Sequence, residues 1–228
     1  EIRPRDWSSD VCSSDLGRYE GAGPQWYREQ FSGWAGEPHV GEATPGYMFW
    51  RHHPDRLAAR IDETLPGVRL IAILRNPVDR TQSAVVHHIE FGALPAGTGV
   101  LEYVRATDPR EDPLGIVTGG WYAASLEPFA ARFGDRLLVL LHDDADEDPR
   151  GVFNAALRHL DAATDFVPAD LERVRFSHQE PDPDAHPEQH LSVADRVEIY
   201  RYFAEDVDRL ADMIGRDLSG WAPDAPAV

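Results

Sequence analysis

An α/β fold with a mostly parallel sheet flanked by helices is the class this sequence predicts, and three observations lead there. Val68–Leu74 (VRLIAIL) and Leu137–Leu141 (LLVLL) are short, continuous apolar runs bounded by turn residues, the pattern of parallel strands buried on both faces. Segments with apolar residues at helical spacing lie between and around them. Neither an internal repeat nor a linker divides the chain, so one domain is expected over residues 17–222, with 223–228 as a tail.

The 228 residues are 42% apolar, enough for a real core. Forty acidic residues against 22 basic ones give a formal charge of −18. Such a surface repels a phosphate backbone, which argues against a nucleic-acid partner. No run approaches the ~18 apolar residues of a membrane span, so no membrane partner is expected. The single cysteine, Cys12, can build neither a disulfide framework nor a cysteine-rich metal site. Every basic residue is arginine. Without lysine these residues hold no G-x-x-x-x-G-K-[ST] loop, no Schiff base and no lysine general base.

Residues 1–16 (EIRPRDWSSDVCSSDL) are Ser/Asp-rich, lack periodicity and lack the basic start and apolar run of a secretory signal. They are expected to be a non-native or disordered segment resembling translated sequencing adapter, with the natural chain beginning further upstream. An ordinary flexible N-terminus is the alternative. A cytoplasmic location is expected.

Trp26, Tyr27, Phe31 and Trp34 suit a short amphipathic helix, and residues 36–47 form a Gly/Pro-rich loop with a short strand at His39–Glu42. Pro54 opens a helix carrying Leu57, Ala58, Ile61 and Leu65, which Pro66-Gly67 ends. Pro77–Phe91 resumes helical spacing, and residues 92–118 are expected to be mobile in part, with a short helix at Val100–Ala106. Trp121–Phe133 is amphipathic, with a kink or early start expected from Pro128. The acidic run His142–Asp148 reads as a solvated loop, since it lacks the glycine and closing glutamate of an EF-hand. Pro149 opens a further helix, 177–191 is a polar loop, and Val193–Ile214 is a single long helix.

The chemistry concentrates in Leu70–Ile89, LIAILRNPVDRTQSAVVHHI. A strand ending at Leu74 puts Arg75 at the carboxyl edge of the sheet, where open α/β folds bind ligands. Asn76 suits an N-cap and Pro77 a first helical turn, so a positive helix end points at the same place. An arginine fork there matches phosphate or sulfate. Asp79, Ser83 and His87 fall at i, i+4 and i+8 on one stripe. Ser83 can donate to a bound anion, and His87 can reach a transferring group. The alternative is a solvated face with an incidental serine and histidine. The adjacent pairs His52-His53 and His87-His88 diverge on a helix, so no metal is expected.

R-x-P-x-x-R-x-x-S after an apolar strand resembles the 3′-phosphate motif of the 3′-phosphoadenosine 5′-phosphosulfate (PAPS) dependent sulfotransferases, in particular the branch of heparan-sulfate sulfotransferases and their bacterial relatives. Further similar segments follow in family order: Gly21–Phe31 (GAGPQWYREQF), Gly41–Tyr47 (GEATPGY), Gly120-Trp121-Tyr122 with Leu126, LLVLLHDDADEDP, and Ile214–Trp221 (IGRDLSGW). Together they span Arg18 to Trp221.

The resemblance implies a single P-loop-type domain, PAPS as sulfuryl donor, Arg75 and Ser83 on the nucleotide's 3′-phosphate, and His87 in catalysis. Val85 and Val86 depart from the aromatic or polar residues common there. Acceptor contacts are expected at Glu42, the GEATP loop and 92–118; a glutamate that merely caps or pairs with an arginine is the alternative for Glu42. The family also implies a first strand, a Lys-containing loop for the 5′-phosphosulfate and a Lys-Glu pair supplying the base. This lysine-free chain is expected to be truncated before them, and Glu20 does not fit as the base. The acceptor is expected to be a small molecule or a glycan, with the net charge disfavouring an extended polyanion. A non-catalytic binding or interaction protein that keeps the fold is the competing reading. A related nucleotide kinase is disfavoured, because no Mg²⁺-binding carboxylate follows a strand.

Overall fold

The computed structural model describes residues 24–48, 53–169, 171 and 187–223. The readings of residues 1–16, of Arg18, Tyr19, Glu20, Gly21 and His52, of the loop over 177–186 and of 224–228 lie outside them. Strands β1 (Leu70–Leu74) and β2 (Leu137–Leu141) pair in parallel, from Leu70 opposite Leu137 to Leu74 opposite Leu141. Around them lie α1 (Pro24–Glu29), α2 (Pro54–Thr64), α3 (Pro77–Glu90), α4 (Val100–Ala106), α5 (Tyr122–Phe133), α6 (His142–Glu147), α7 (Pro149–His159), α8 (Val193–Tyr200) and α9 (Ala204–Ile214). A parallel pair needs a long crossover, and α3 to α5 supply it.

Both strands fall where their apolar runs place them, but β1 is not buried on both faces. Ala72 and Leu74 face the core, while Ile71 and Ile73 are 37% and 61% exposed. The buried side belongs to one apolar cluster with Val78 and Val85 of α3, Leu126 of α5, and Val207 and Leu210 of α9. A smaller cluster joins Ala58 of α2 to Phe129 and Phe133 of α5. These contacts grip α5 on either side of Pro128, and the helix continues through the proline rather than ending there.

Three other expectations are corrected. The expected single helix Val193–Ile214 breaks at Arg201–Phe203 into α8 and α9. Phe203 is fully buried at the bend, with its ring against Gly120, where an added Cβ would lie 2.7 Å from it. Continuous apolar spacing cannot reveal such a bend, because both halves present their apolar residues to one core. The acidic run His142–Asp148 is not a solvated loop: residues 142–147 form α6, whose first-turn Asp143 and Asp144 suit the helix dipole. Residues 39–42 form no strand.

Within 92–118 the expected helix forms as α4, and the segment after it is packed around a buried side chain. Ile116, Val117 and Thr118 are fully buried around the carboxylate of Asp112. Asp112 accepts from the amides of Ile116, Val117 and Thr118 at 3.2, 2.9 and 2.8 Å and from the Thr118 hydroxyl at 2.9 Å. Four donors on one buried carboxylate close the loop as a helix cap closes a helix.

A second carboxylate acts across the fold. Trp121 gives α5 no side-chain cap. Instead Asp206 of α9 accepts from the amides of Ala123 and Ala124 at 2.9 and 3.1 Å. The first-turn N–H groups of α5 are thereby satisfied from another helix, which fixes the start of α5 against α9. Burial outweighs these bonds and holds the Asp206 carboxyl above the usual carboxylate range.

Two outcomes are expected. Phe203→Ala empties a fully buried site and lowers unfolding free energy by about 3–5 kcal/mol, measured by urea denaturation. Because the Asp206 pKa is raised on folding, its contribution to stability is fully present below the ordinary carboxylate value and is lost as pH rises through the raised one. The stability difference between the unaltered chain and Asp206→Asn should therefore move in favour of the variant as pH increases through that window.

Candidate active site

The β1–α3 turn is built by short-range signals. Pro77 occupies the first helical position of α3, and the Asn76 side chain caps it, its Oδ1 accepting from the Val78 amide at 2.9 Å. Arg75 stands exposed between the last strand residue and this cap. Its main chain is fixed from behind: the Tyr122 hydroxyl donates to the Arg75 carbonyl at 2.8 Å. Tyr122 is almost entirely buried, and burial pushes its phenol up to about 12, so it remains a donor at physiological pH. The Asn76 Nδ2 donates to the Trp221 carbonyl at 3.0 Å, tying the turn to the end of the described chain.

Ser83 is half-buried on α3, six residues beyond Pro77, which is ~9 Å along the helix axis. His87 follows one turn later, half-buried, with its ring 4.5 Å from that of Phe91 and 5.7 Å from that of His88. Arg75 and Ser83 therefore flank the amino-terminal half of α3, and His87 marks its far half. The expected polar stripe is not uniformly solvated, since Asp79 is engaged by Arg196 of α8. Burial and the adjacent His87 hold the neighbouring His88 imidazole below its ordinary pKa, which favours its neutral form.

Glu42 is exposed in the loop before the Pro45–Met48 turn. The Thr44 hydroxyl donates to its Oε2 at 2.8 Å. Burial, with Glu42 as a hydrogen-bond partner, drives the Tyr47 phenol well above its ordinary pKa. Tyr27 of α1 is raised as well, through burial and the same carboxylate. The W-Y segment and the GEATPGY loop thus share one electrostatic neighbourhood.

The second arginine of the motif turns away from solvent, with its Nη1 and Nη2 donating to the carbonyls of Ile116 and Gly115 at 2.7 and 3.1 Å. Burial lowers its pKa, and Gly119 lies so close that an added Cβ would be 2.2 Å from Nη2. Only glycine leaves room for the guanidinium. Arg80 therefore locks the Asp112-centred loop onto α3, a role that its place in the motif does not reveal. Tyr122, Trp221 and Asp206 also escaped the sequence reading as supports of the turn. The available signal for Tyr122 and Trp221 was their place in the G-W-Y and D-L-S-G-W segments, which names no partner.

Among the described residues, no group of three or more His, Cys, Asp or Glu side chains could hold a metal ion, and no helix is long and apolar enough to cross a membrane. What the turn itself presents is the exposed Arg75 guanidinium at a capped helix start, groups of a kind suited to an oxyanion.

No protein-family model and no curated protein matches the chain. Among solved structures it is similar to the crystal structure of a sulfotransferase from Alicyclobacillus acidocaldarius, at 29% sequence identity and a TM-score of 0.73, over 91% of this chain and 77% of that one. The likeness runs through nearly the whole chain rather than through one motif, and the small parallel sheet with its flanking helices is the fold of a sulfotransferase.

Proposed function

We propose that this chain is the sulfotransferase domain of an enzyme that moves a sulfuryl group from PAPS to a hydroxyl or amine. The observation that carries the reading is Arg75, leaving a parallel strand at an Asn76-capped helix start with Ser83 two turns on, in a fold shared with a sulfotransferase. Arg75 and Ser83 hold the 3′-phosphate of the nucleotide, which sets the distance between donor and acceptor.

In the transfer, the acceptor's lone pair forms the new bond to sulfur as the bond from sulfur to the 5′-phosphate oxygen breaks. 3′,5′-Adenosine bisphosphate leaves, and a carboxylate takes the acceptor's proton. As in phosphoryl transfer, the work is mainly positioning and stabilisation of charge on the equatorial and leaving oxygens. His87 donates to the sulfuryl or leaving oxygen. Glu42, with Tyr47 beside it, contacts the acceptor, a small or neutral molecule in keeping with the charge of −18. A cytoplasmic location belongs to the same proposal.

Titration with 3′,5′-adenosine bisphosphate tests it. Arg75→Ala should weaken binding about tenfold or more, and Ser83→Ala by less, as removal of charge-assisted and neutral hydrogen bonds requires. No binding by the unaltered chain would overturn the proposal. In transfer assays with labelled PAPS, His87→Ala should lower turnover roughly 100-fold while leaving bisphosphate affinity unchanged.

A further inference from the structure

Three observations converge on Trp221. Its carbonyl accepts from Asn76 Nδ2 at 3.0 Å. Its indole Nε1 donates to Asp143 Oδ2 of α6 at 2.6 Å. Its ring meets that of Tyr122 edge-on at 6.2 Å, and Tyr122 in turn holds the Arg75 carbonyl. Trp221 is 4% exposed and closes the short Ser219–Trp221 turn. The approach to that turn is pinned to the same helix, since Arg216 donates twice to Asp144 at 2.9 and 2.8 Å.

We propose that Trp221, anchored by Asp143 of the acidic helix α6, is a positioning residue that sets the Asn76 side chain and hence the anion-binding turn. The inference rests on the reading of Arg75 and Ser83 as a 3′-phosphate site. An asparagine cap has two usable orientations, because its oxygen and nitrogen are nearly the same size. The Trp221 carbonyl removes the ambiguity: it accepts hydrogen bonds only, so the Asn76 nitrogen faces it and the oxygen is left to cap Val78. The carbonyl can do so only if Trp221 keeps its place, and the bond from its buried indole to a carboxylate fixes that place. Helix α6 thus works at a distance on a turn that it need not touch.

The full chain is titrated calorimetrically with 3′,5′-adenosine bisphosphate and with adenosine 5′-phosphate, which lacks the 3′-phosphate. Asp143→Ala changes an exposed residue and should weaken the bisphosphate about fivefold, the equivalent of one hydrogen bond, with the monophosphate unchanged. Asp143→Asn, whose amide oxygen can still accept from the indole, should restore most of the affinity. Trp221→Phe should behave like Asp143→Ala. Unaltered bisphosphate affinity in Asp143→Ala overturns the positioning role while leaving the site intact. Equal weakening of both ligands also overturns it, since that is the mark of a general loss of structure. If the unaltered chain binds no bisphosphate, the 3′-phosphate reading fails and this inference falls with it.

Discussion

A single side chain carries the junction on which this molecule's candidate chemistry depends. Asn76 ends β1 and begins α3, and its amide is used at both ends: the oxygen holds the Val78 N–H and the nitrogen holds the Trp221 carbonyl. A helix start that is to receive an anion must keep part of its first-turn N–H set available and in a defined direction. One capping bond defines that direction without consuming the set. The bond from Tyr122 to the Arg75 carbonyl fixes the preceding residue, so the guanidinium leaves a backbone held on both sides.

The supports of this turn come from distant parts of the chain and meet in one connected arrangement. Asp206 of α9 fixes the start of α5, and that start carries Tyr122. The C-terminal segment reaches the turn through Trp221 and is tied down by the carboxylates of α6. Arg80 and Asp112 secure the loop that leads into α5 from its other side. Of the two motif arginines, one is spent inside the protein and the other is presented to solvent. That division is a matter of burial: the Arg80 guanidinium donates to carbonyls that compensate its desolvation, whereas Arg75 is exposed and keeps its hydration.

Charge organises the chain at two ranges. A formal charge of −18 disfavours extended polyanions at long distance. At short range several carboxylates are structural: Asp112 closes a loop, Asp206 caps a helix, and Asp143 and Asp144 hold the C-terminal segment. Every Lys/Arg position of these 228 residues is arginine, whose fork of donors suits two oxygens of one carboxylate, phosphate or sulfate.

What the sequence determined by itself was local. The two apolar runs are the strands, Pro54, Pro77 and Pro149 open helices, Val100–Ala106 is a helix as its spacing requires, and Asn76-Pro77 is a cap followed by a first turn. Arg75, Ser83 and His87 could be singled out because strand end, cap and helical period are all set by near neighbours. Only the tertiary structure decided the bend at Phe203, the uncovered face of β1, the helix in the acidic run and the buried use of Arg80. Three of these depend on a partner far along the chain: Gly120 for Phe203, Trp221 and Arg216 for α6, Gly115 and Ile116 for Arg80. A residue's spacing tells which way it faces on its own element, but not what has been folded against it, and it is that neighbour that turns a charge into a ligand site or a structural tie.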